Sequence, residues 1–386
     1  MHIGSGLSVL ADPRTAAIEA ASSARVGLER AHADLALVFI AGAHLADPEL
    51  ALDGVREALE PDVLIGCGAG GVLADSHEVE SGTGISVWAA ALGGGSAMPF
   101  HSTVEELDDG LAVSGLPSLD GAAGVVLLPD PFTYPTEGVL DTLSEHAPGV
   151  PVIGGVASAR RRDGEPALFL DGEPLEGGGA VGVRLDGVEM LPCVSQGAAP
   201  FGPELTITAS EGHVIHELAG RPAIDKLRDV VAELPVSVQS LLANDLLVGI
   251  VVDGDKPDYL QGDFLVRGIL GGDPDEGSLA VGTAVANGQV LRLHARDADS
   301  ADRDLRASLE VQREALGGGR PAGALMFSCN GRGRALFGEA DHDAVAVAEA
   351  FGDAPVAGFF AAGEIGPVGG ATFLHGFTAT LAVFPA

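Results

Sequence analysis

The chain has 386 residues, 55 of them acidic and 21 basic, for a formal charge of −34. A field of that sign repels phosphate backbones and anionic lipid, so general nucleic-acid binding and docking on an acidic membrane are both disfavoured. Hydrophobic residues make up 46% of the chain, aromatics only 4%, and there are 56 glycines, so a core of small and branched aliphatics is expected.

The first helix is expected from Pro13 to about Ala33, where alanines alternate with Ile18, Val26 and Leu28. A short apolar strand follows at Leu35–Ile40, then a helix at Leu50–Leu59 stopped by Pro61, a strand at Val63–Ile65, a glycine-rich turn, and a strand at Gly84–Leu92. The same order returns twice. Residues 124–185 read as strand Val125–Leu128, helix Gly138–His146, strand Val150–Ile153, turn, and strand Gly179–Leu185. Residues 323–383 read as strand Ala324–Ser328, helix Asp343–Phe351, strand Pro355–Ala357, turn, and strand Gly376–Val383. At the turn each copy writes Gly-x-x-Ala, from Gly66, Gly154 and Gly358. Glycine there permits a positive φ or a close backbone approach, and alanine leaves room beside it.

Between the second and third copies lies different material. Leu205–Thr208 is expected as a strand and Ile215–Leu234 as mostly helix, although it holds Gly220 and Pro222. Short strands follow at Leu246–Val252, Phe264–Leu270, Leu279–Val281 and Val290–His294, then a helix at Arg303–Leu316. The linker candidate is Ser195–Pro203. The fold class expected is α/β: two domains, 1–205 with units 35–92 and 124–185, and 206–386 with the third unit, built from repeated strand–helix–strand–turn–strand units with mixed sheets flanked by helices.

Several motifs fail their context. Gly66–Gly71 fits G-x-G-x-x-G, but the polar, glycine-interrupted stretch after it is no helix for a pyrophosphate. The acidic run Asp297–Asp304 lacks the central glycine and terminal glutamate of a calcium loop. The three cysteines, Cys67, Cys193 and Cys329, are far apart, which disfavours a zinc site or disulfide scaffold and suits the cytoplasm. No export signal and no apolar run of the ~18–20 residues a membrane helix needs is read. No cofactor, metal set or catalytic residue is assigned.

Two loops carry candidate chemistry. Cys329-Asn330-Gly331-Arg332-Gly333-Arg334 leaves the end of a strand, and its glycine amides with two arginine forks suit a carboxylate or phosphate. Surface ion pairing of the arginines is the alternative. Glu364 stands alone in the apolar Gly/Pro loop Phe359–Gly370, as a pocket acceptor or a solvated turn residue, and His375 follows. The glycine turns expected to line the cavity are Gly66, Gly68, Gly154, Gly155, Gly358 and Gly363.

The segments LIGCGAGGV (Leu64–Val72), EVESGTGISVWAA (Glu78–Ala90), SQGAAPFGPELTIT (Ser195–Thr208), HVIHELAGRPAIDKL (His213–Leu227), DFLVRGILGGDPDEGSLAVG (Asp263–Gly282), HARDADSADRDL (His294–Leu305), FSCNGRGRALFGEADHDA (Phe327–Ala344) and GFFAAGEIGPVGGATFLHGFTATLAVF (Gly358–Phe384) resemble FIST proteins, the F-box and intracellular signal transduction proteins. The resemblance spans about residues 30–385. It implies an intracellular sensory module that binds a small ligand such as an amino acid and passes its signal to a separate output protein. Many relatives read Gln-Gly-Cys and then a basic residue, where this chain has Gln196-Gly197-Ala198-Ala199, so any role resting on that thiol or base is absent. The resemblance transfers no catalytic residues. Arg267, Asn330, Arg332 and Arg334 are then expected to hold a carboxylate, with Cys329 among them, and Glu364 an amino group beside His375. The alternatives are an enzyme acting on a small carboxylate, with Glu364 as acid/base, or a ligand-free interaction scaffold.

Overall fold

The computed structural model describes residues 1–107, 110–244, 246–254, 256, 258–259 and 261–386. They form two compact units. The first is Met1–Val194 with Leu305–Leu374 and Thr378–Ala386; the second is Ser195–Asp304 with His375–Phe377. All three sequence copies belong to the first unit. The expected domain 206–386 is therefore not one compact body: its residues 305–374 and 378–386 pack with the N-terminal copies.

Each copy opens with two parallel strands joined through a helix. In copy 1 these are Leu35–Ala41 and Val63–Ala69 around helix Pro48–Leu59. In copy 2 they are Gly124–Pro129 and Val152–Gly155 around Thr136–His146. In copy 3 they are Gly323–Cys329 and Val356–Ala361 around His342–Phe351. The last strand of each copy, Gly84–Ala91, Ala180–Asp186 or Thr378–Phe384, pairs antiparallel with its first. The strand order is thus the same in all three, as the repeat predicts.

The hairpin between the second and last strands leaves its own copy. Val72–Ala74 of copy 1 pairs with the second strand of copy 3. Glu364–Val368 of copy 3 pairs with the second strand of copy 2. Leu168–Leu170 of copy 2 pairs with the second strand of copy 1. The exchange is cyclic, and each copy covers an otherwise open sheet edge of another.

The glycine motif has one physical cause in all three. A Cβ on Gly66, Gly154 or Gly358 would overlap the carbonyl oxygen of Val38, Leu127 or Met326 on the adjacent parallel strand. None of the three has a positive φ, so close approach rather than turn geometry selects glycine. Two of the expected strands accordingly run on through the motif, to Ala69 and Ala361, where a turn was expected.

Facing sides of the sheets bury a common core that includes Leu37, Phe39, Ile65, Val126, Ile153, Phe327 and Phe359. The rings of Phe39 and Phe359 are 4.9 Å apart, and those of Phe327 and Phe359 5.5 Å. The first helix, Pro13–Gly27, is capped by Asp12, which accepts from the Thr15 amide at 2.8 Å. It ends six residues before the expected Ala33: the Leu28 amide already turns back to Arg25, and a Cβ on Gly27 would overlap the Ile3 carbonyl.

Among the described residues, the second unit is a seven-stranded, largely antiparallel sheet with helices Ala223–Glu233 and Val236–Asn244. Ile215–Leu234, expected as helix, is instead strand Val214–Leu218 and then helix from Ala223, because Ala219 and Gly220 take positive φ and Pro222 follows. Leu205, Ile207, Ile215, Leu227, Val248 and Leu291 lie in its core. Gly249 makes room for the ring of His294, which meets Phe264 edge-on at 4.9 Å.

Candidate functional site

The motif ends of all three copies meet at Ser158. Its hydroxyl accepts from the Gly70 amide of copy 1 at 2.8 Å and donates to the Phe360 carbonyl of copy 3. Backbone bonds reinforce the junction. Val156 N donates to Gly363 O at 2.8 Å, Ala362 N to Val156 O at 3.0 Å, and Phe360 N to Gly71 O at 3.0 Å. Asn330 Oδ1 lies 3.6 Å from where a Gly70 Cβ would sit. The turns of copies 2 and 3 also border a cavity of about 430 Å³ beside Tyr134, Val156 and Ala362.

The Cys329–Arg334 loop folds inward at this junction. Asn330 N donates to Ala361 O at 2.9 Å, Arg332 N to Cys329 O at 2.9 Å, and Gly331 N to Cys329 Sγ at 3.4 Å. Gly333 sits at φ 77°, and a Cβ there would overlap the Glu80 carboxylate, so glycine is required on two counts. Glu80 accepts the Arg334 amide, and Glu78 accepts the Ala344 amide at 2.9 Å. The copy 1 hairpin thereby clamps the loop and the start of the copy 3 helix. Burial pushes the Glu78 carboxyl up to about 7, with Asp343, Glu80 and Asp341 adding to the rise.

Arg332 is 2% exposed. Its Nε and Nη2 donate to Asp343 at 2.6 and 2.8 Å, a bidentate buried pair. Ser328 Oγ donates to the same carboxylate at 2.9 Å, and His342 Nδ1 lies 3.0 Å from it. The guanidinium sits over the Phe337 ring, which stacks on His342. Burial alone would raise the Asp343 carboxyl; Arg332, His342 and Ser328 outweigh it and hold it well below the ordinary range. The ion pair is thus buried rather than at the surface, and two of the three Arg332 nitrogens are committed to Asp343. Arg334 is exposed, and its backbone amide rather than its guanidinium makes the contact with Glu80.

Glu364 is fully buried, not a solvated turn residue. Its Oε2 accepts from Thr378 N at 3.1 Å and Thr378 Oγ1 at 2.7 Å. Burial pushes its carboxyl up to about 8, against the pull of Thr378, Arg332 and the Cys329 thiol. Two atoms here are buried without a hydrogen-bond partner: Oε1 of Glu364 and Nη1 of Arg332.

The sheet registers isolate Glu364 among the copies. The residue after each motif's first glycine, Cys67, Gly155 or Phe359, faces Leu168, Glu364 or Val72 on the exchanged hairpin. Two copies thus place a buried aliphatic where copy 3 places a carboxyl. Of the other expected site residues, Gly66, Gly154 and Gly358 serve strand approach. Gly68 N donates to Ala167 O at 2.7 Å, and Gly155 packs on Phe359 and Ala361. Arg267 and His375 belong to the second unit, where Arg267 Nη1 donates to Val266 O at 3.1 Å. Asp343, Thr378 and Ser158 were not expected. The first two are nonlocal partners of expected residues, and Ser158 had one available signal, its place one residue after the Gly-x-x-Ala of copy 2.

Among the described residues, no helix is long and apolar enough to cross a membrane. The family model of the FIST N domain matches residues 34–221, and that of the FIST C domain matches residues 223–367. The chain is 42% identical over 386 residues to the Uncharacterized protein Rv0628c of Mycobacterium tuberculosis H37Rv, with all of both chains covered. It is 41% identical over 385 residues to the Uncharacterized protein Mb0898c of Mycobacterium bovis, covering 100% of this chain and 99% of that one.

Proposed function

The chain belongs to the FIST family, whose domains are associated with signal transduction, and on that premise we propose that it is a sensory protein binding a small ligand at the three-copy junction of its first unit. The ligand is an amino acid or a similar small carboxylate. The observation that carries this reading is the pair of buried, unpartnered atoms of opposite character, Arg332 Nη1 and Glu364 Oε1. A buried polar atom without a partner costs about 1–3 kcal/mol, so a site holding two of them favours a molecule that supplies both. A ligand oxygen would accept from Arg332, and a ligand ammonium N–H would donate to Glu364 as the raised carboxyl gives up its proton. Structural support for the site comes from elsewhere: Asp343 fixes the guanidinium and Thr378 fixes the carboxyl, so neither must be ordered on binding. The signal passes to a separate output protein in the cytoplasm.

A thermal-shift screen of the amino acids and other small carboxylates tests this. A ligand at ~100 times its dissociation constant adds about 2.7 kcal/mol, a shift of a few degrees. A shift by one compound or a narrow class supports the reading. No shift across the panel at millimolar concentration contradicts it.

A further inference from the structure

Cys329 differs from the other two cysteines in place and surroundings. Cys67 and Cys193 are buried, and burial pushes the Cys67 thiol far up, into the range of an inert core residue. Cys329 is only partly buried, at the end of the first strand of copy 3, where the corresponding strand end in copy 1 is Ala41. The Gly331 amide donates to its sulfur. The Arg332 amide donates to the Cys329 carbonyl at 2.9 Å, and Thr378, which holds the Glu364 carboxyl, precedes Ala379, the cross-strand partner of Ser328 next to Cys329. Glu364 Oε1 and Arg332 Nη1, the unpartnered buried atoms, belong to these same two neighbours. A sulfur nucleophile, a proton acceptor and a spare N–H donor therefore share one place.

We propose that Cys329 captures a small aldehyde as a reversible hemithioacetal, with Glu364 carrying the proton and Arg332 holding the oxygen. This rests on the ligand site proposed above and adds the class of molecule it takes. The Cys329 Sγ–H bond breaks and an Sγ–C bond forms at the carbonyl carbon. In its ionised form, reached as pH approaches 8, Glu364 Oε1 takes the thiol proton and returns it to the carbonyl oxygen, which accepts from Arg332 Nη1 as its charge develops. The carbonyl π bond is the only other bond lost, so no co-reactant is needed. The burial-raised carboxyl, at about 8, lies near the ~8.5 of an ordinary thiol, so proton transfer between them is close to level.

The test uses the full chain and two probes. Iodoacetamide, which alkylates a thiol with loss of iodide, is followed by peptide mass mapping. Glyoxylate labelled with ¹³C at its aldehyde carbon is followed by NMR. Cys329 is expected to alkylate at least about tenfold faster than Cys67 and Cys193. Glyoxylate is expected to slow that alkylation and to give a hemithioacetal carbon signal that vanishes in Cys329→Ser. Glu364→Gln is expected to slow alkylation about tenfold or more. Faster labelling of either buried cysteine, or no adduct signal on the folded wild-type protein, overturns the proposal, and neither readout depends on a variant folding. Alkylation of folded Glu364→Gln at the wild-type rate overturns it too. An amino-acid thermal shift that persists while no adduct forms removes the covalent step and leaves the ligand site standing.

Discussion

Ser158 Oγ accepts a hydrogen bond from the Gly70 amide at 2.8 Å and donates its own to the Phe360 carbonyl, so one hydroxyl of copy 2 ties copy 1 to copy 3. Replacing Ser158 by Ala leaves a donor and an acceptor to find water or go without. A loss of about 1–3 kcal/mol in chemical denaturation is expected. An unchanged midpoint would show that water replaces the hydroxyl at no cost.

The shared carbonyl approach makes three positions equivalent. Gly66→Ala, Gly154→Ala and Gly358→Ala should each destabilise the fold by about 1–3 kcal/mol or more, since each Cβ meets backbone that cannot rotate away. Gly138, where a Cβ would meet nothing within 4 Å, is the control, and Gly138→Ala should be neutral or slightly stabilising. Similar melting temperatures for all four would contradict the close-approach explanation.

Arg332→Ala should cost about 3–5 kcal/mol, because it strands the fully buried Asp343 carboxylate. Arg332→Met combined with Asp343→Leu should recover part of that loss, since no charge is then left buried alone. Urea denaturation of the single and double variants reads both. A single variant as stable as the wild type would place the guanidinium in solvent.

The Glu364 carboxyl is raised in the folded state, from 4.5 to about 8. The native state therefore holds a proton that the unfolded state gives up over that interval, and stability falls as pH rises through it. Glu78, raised to about 7, acts in the same direction. His294, lowered to about 4 by burial, acts oppositely, its contribution being lost as pH falls from 6.5 towards 4. Subtracting the pH profile of Glu364→Gln isolates the first group. Its difference from wild type should change steadily between about pH 5 and pH 8. A flat difference would mean a carboxyl that is ionised in both states.

With a charge of −34, carboxylates repel one another unless screened. The melting temperature should rise as the Debye length falls from ~30 to ~8 Å between low and moderate salt. A flat or falling curve would mean that the ion pairs offset the repulsion.

The repeat was legible because strand, helix and glycine positions recur locally, and so was the FIST resemblance, which rests on contiguous motifs. The hairpin exchange was not: Val72, Leu168 and Glu364 pair with strands far away in sequence, and no local pattern names the partner. Glu364 was picked out by its apolar surroundings, which do reflect burial. The buried pairing of Arg332 was not legible because its partner Asp343 stands eleven residues on, at the start of another element. Strand lengths were underestimated at Val63–Ala69 and Val356–Ala361 because glycine was taken as a turn signal, where it serves backbone approach within the sheet.

The most direct measurement is isothermal titration of the best thermal-shift ligand into wild-type protein and Glu364→Gln. The amide keeps the size of the side chain and an oxygen for Thr378, but cannot ionise to accept the ligand's ammonium N–H. The expected result is saturable one-site binding to the wild type, with affinity reduced about tenfold or more in the folded variant, the range of ~1.5–3 kcal/mol for a hydrogen bond to a charged group. Equal affinity in the two proteins would contradict a ligand site at Arg332 and Glu364.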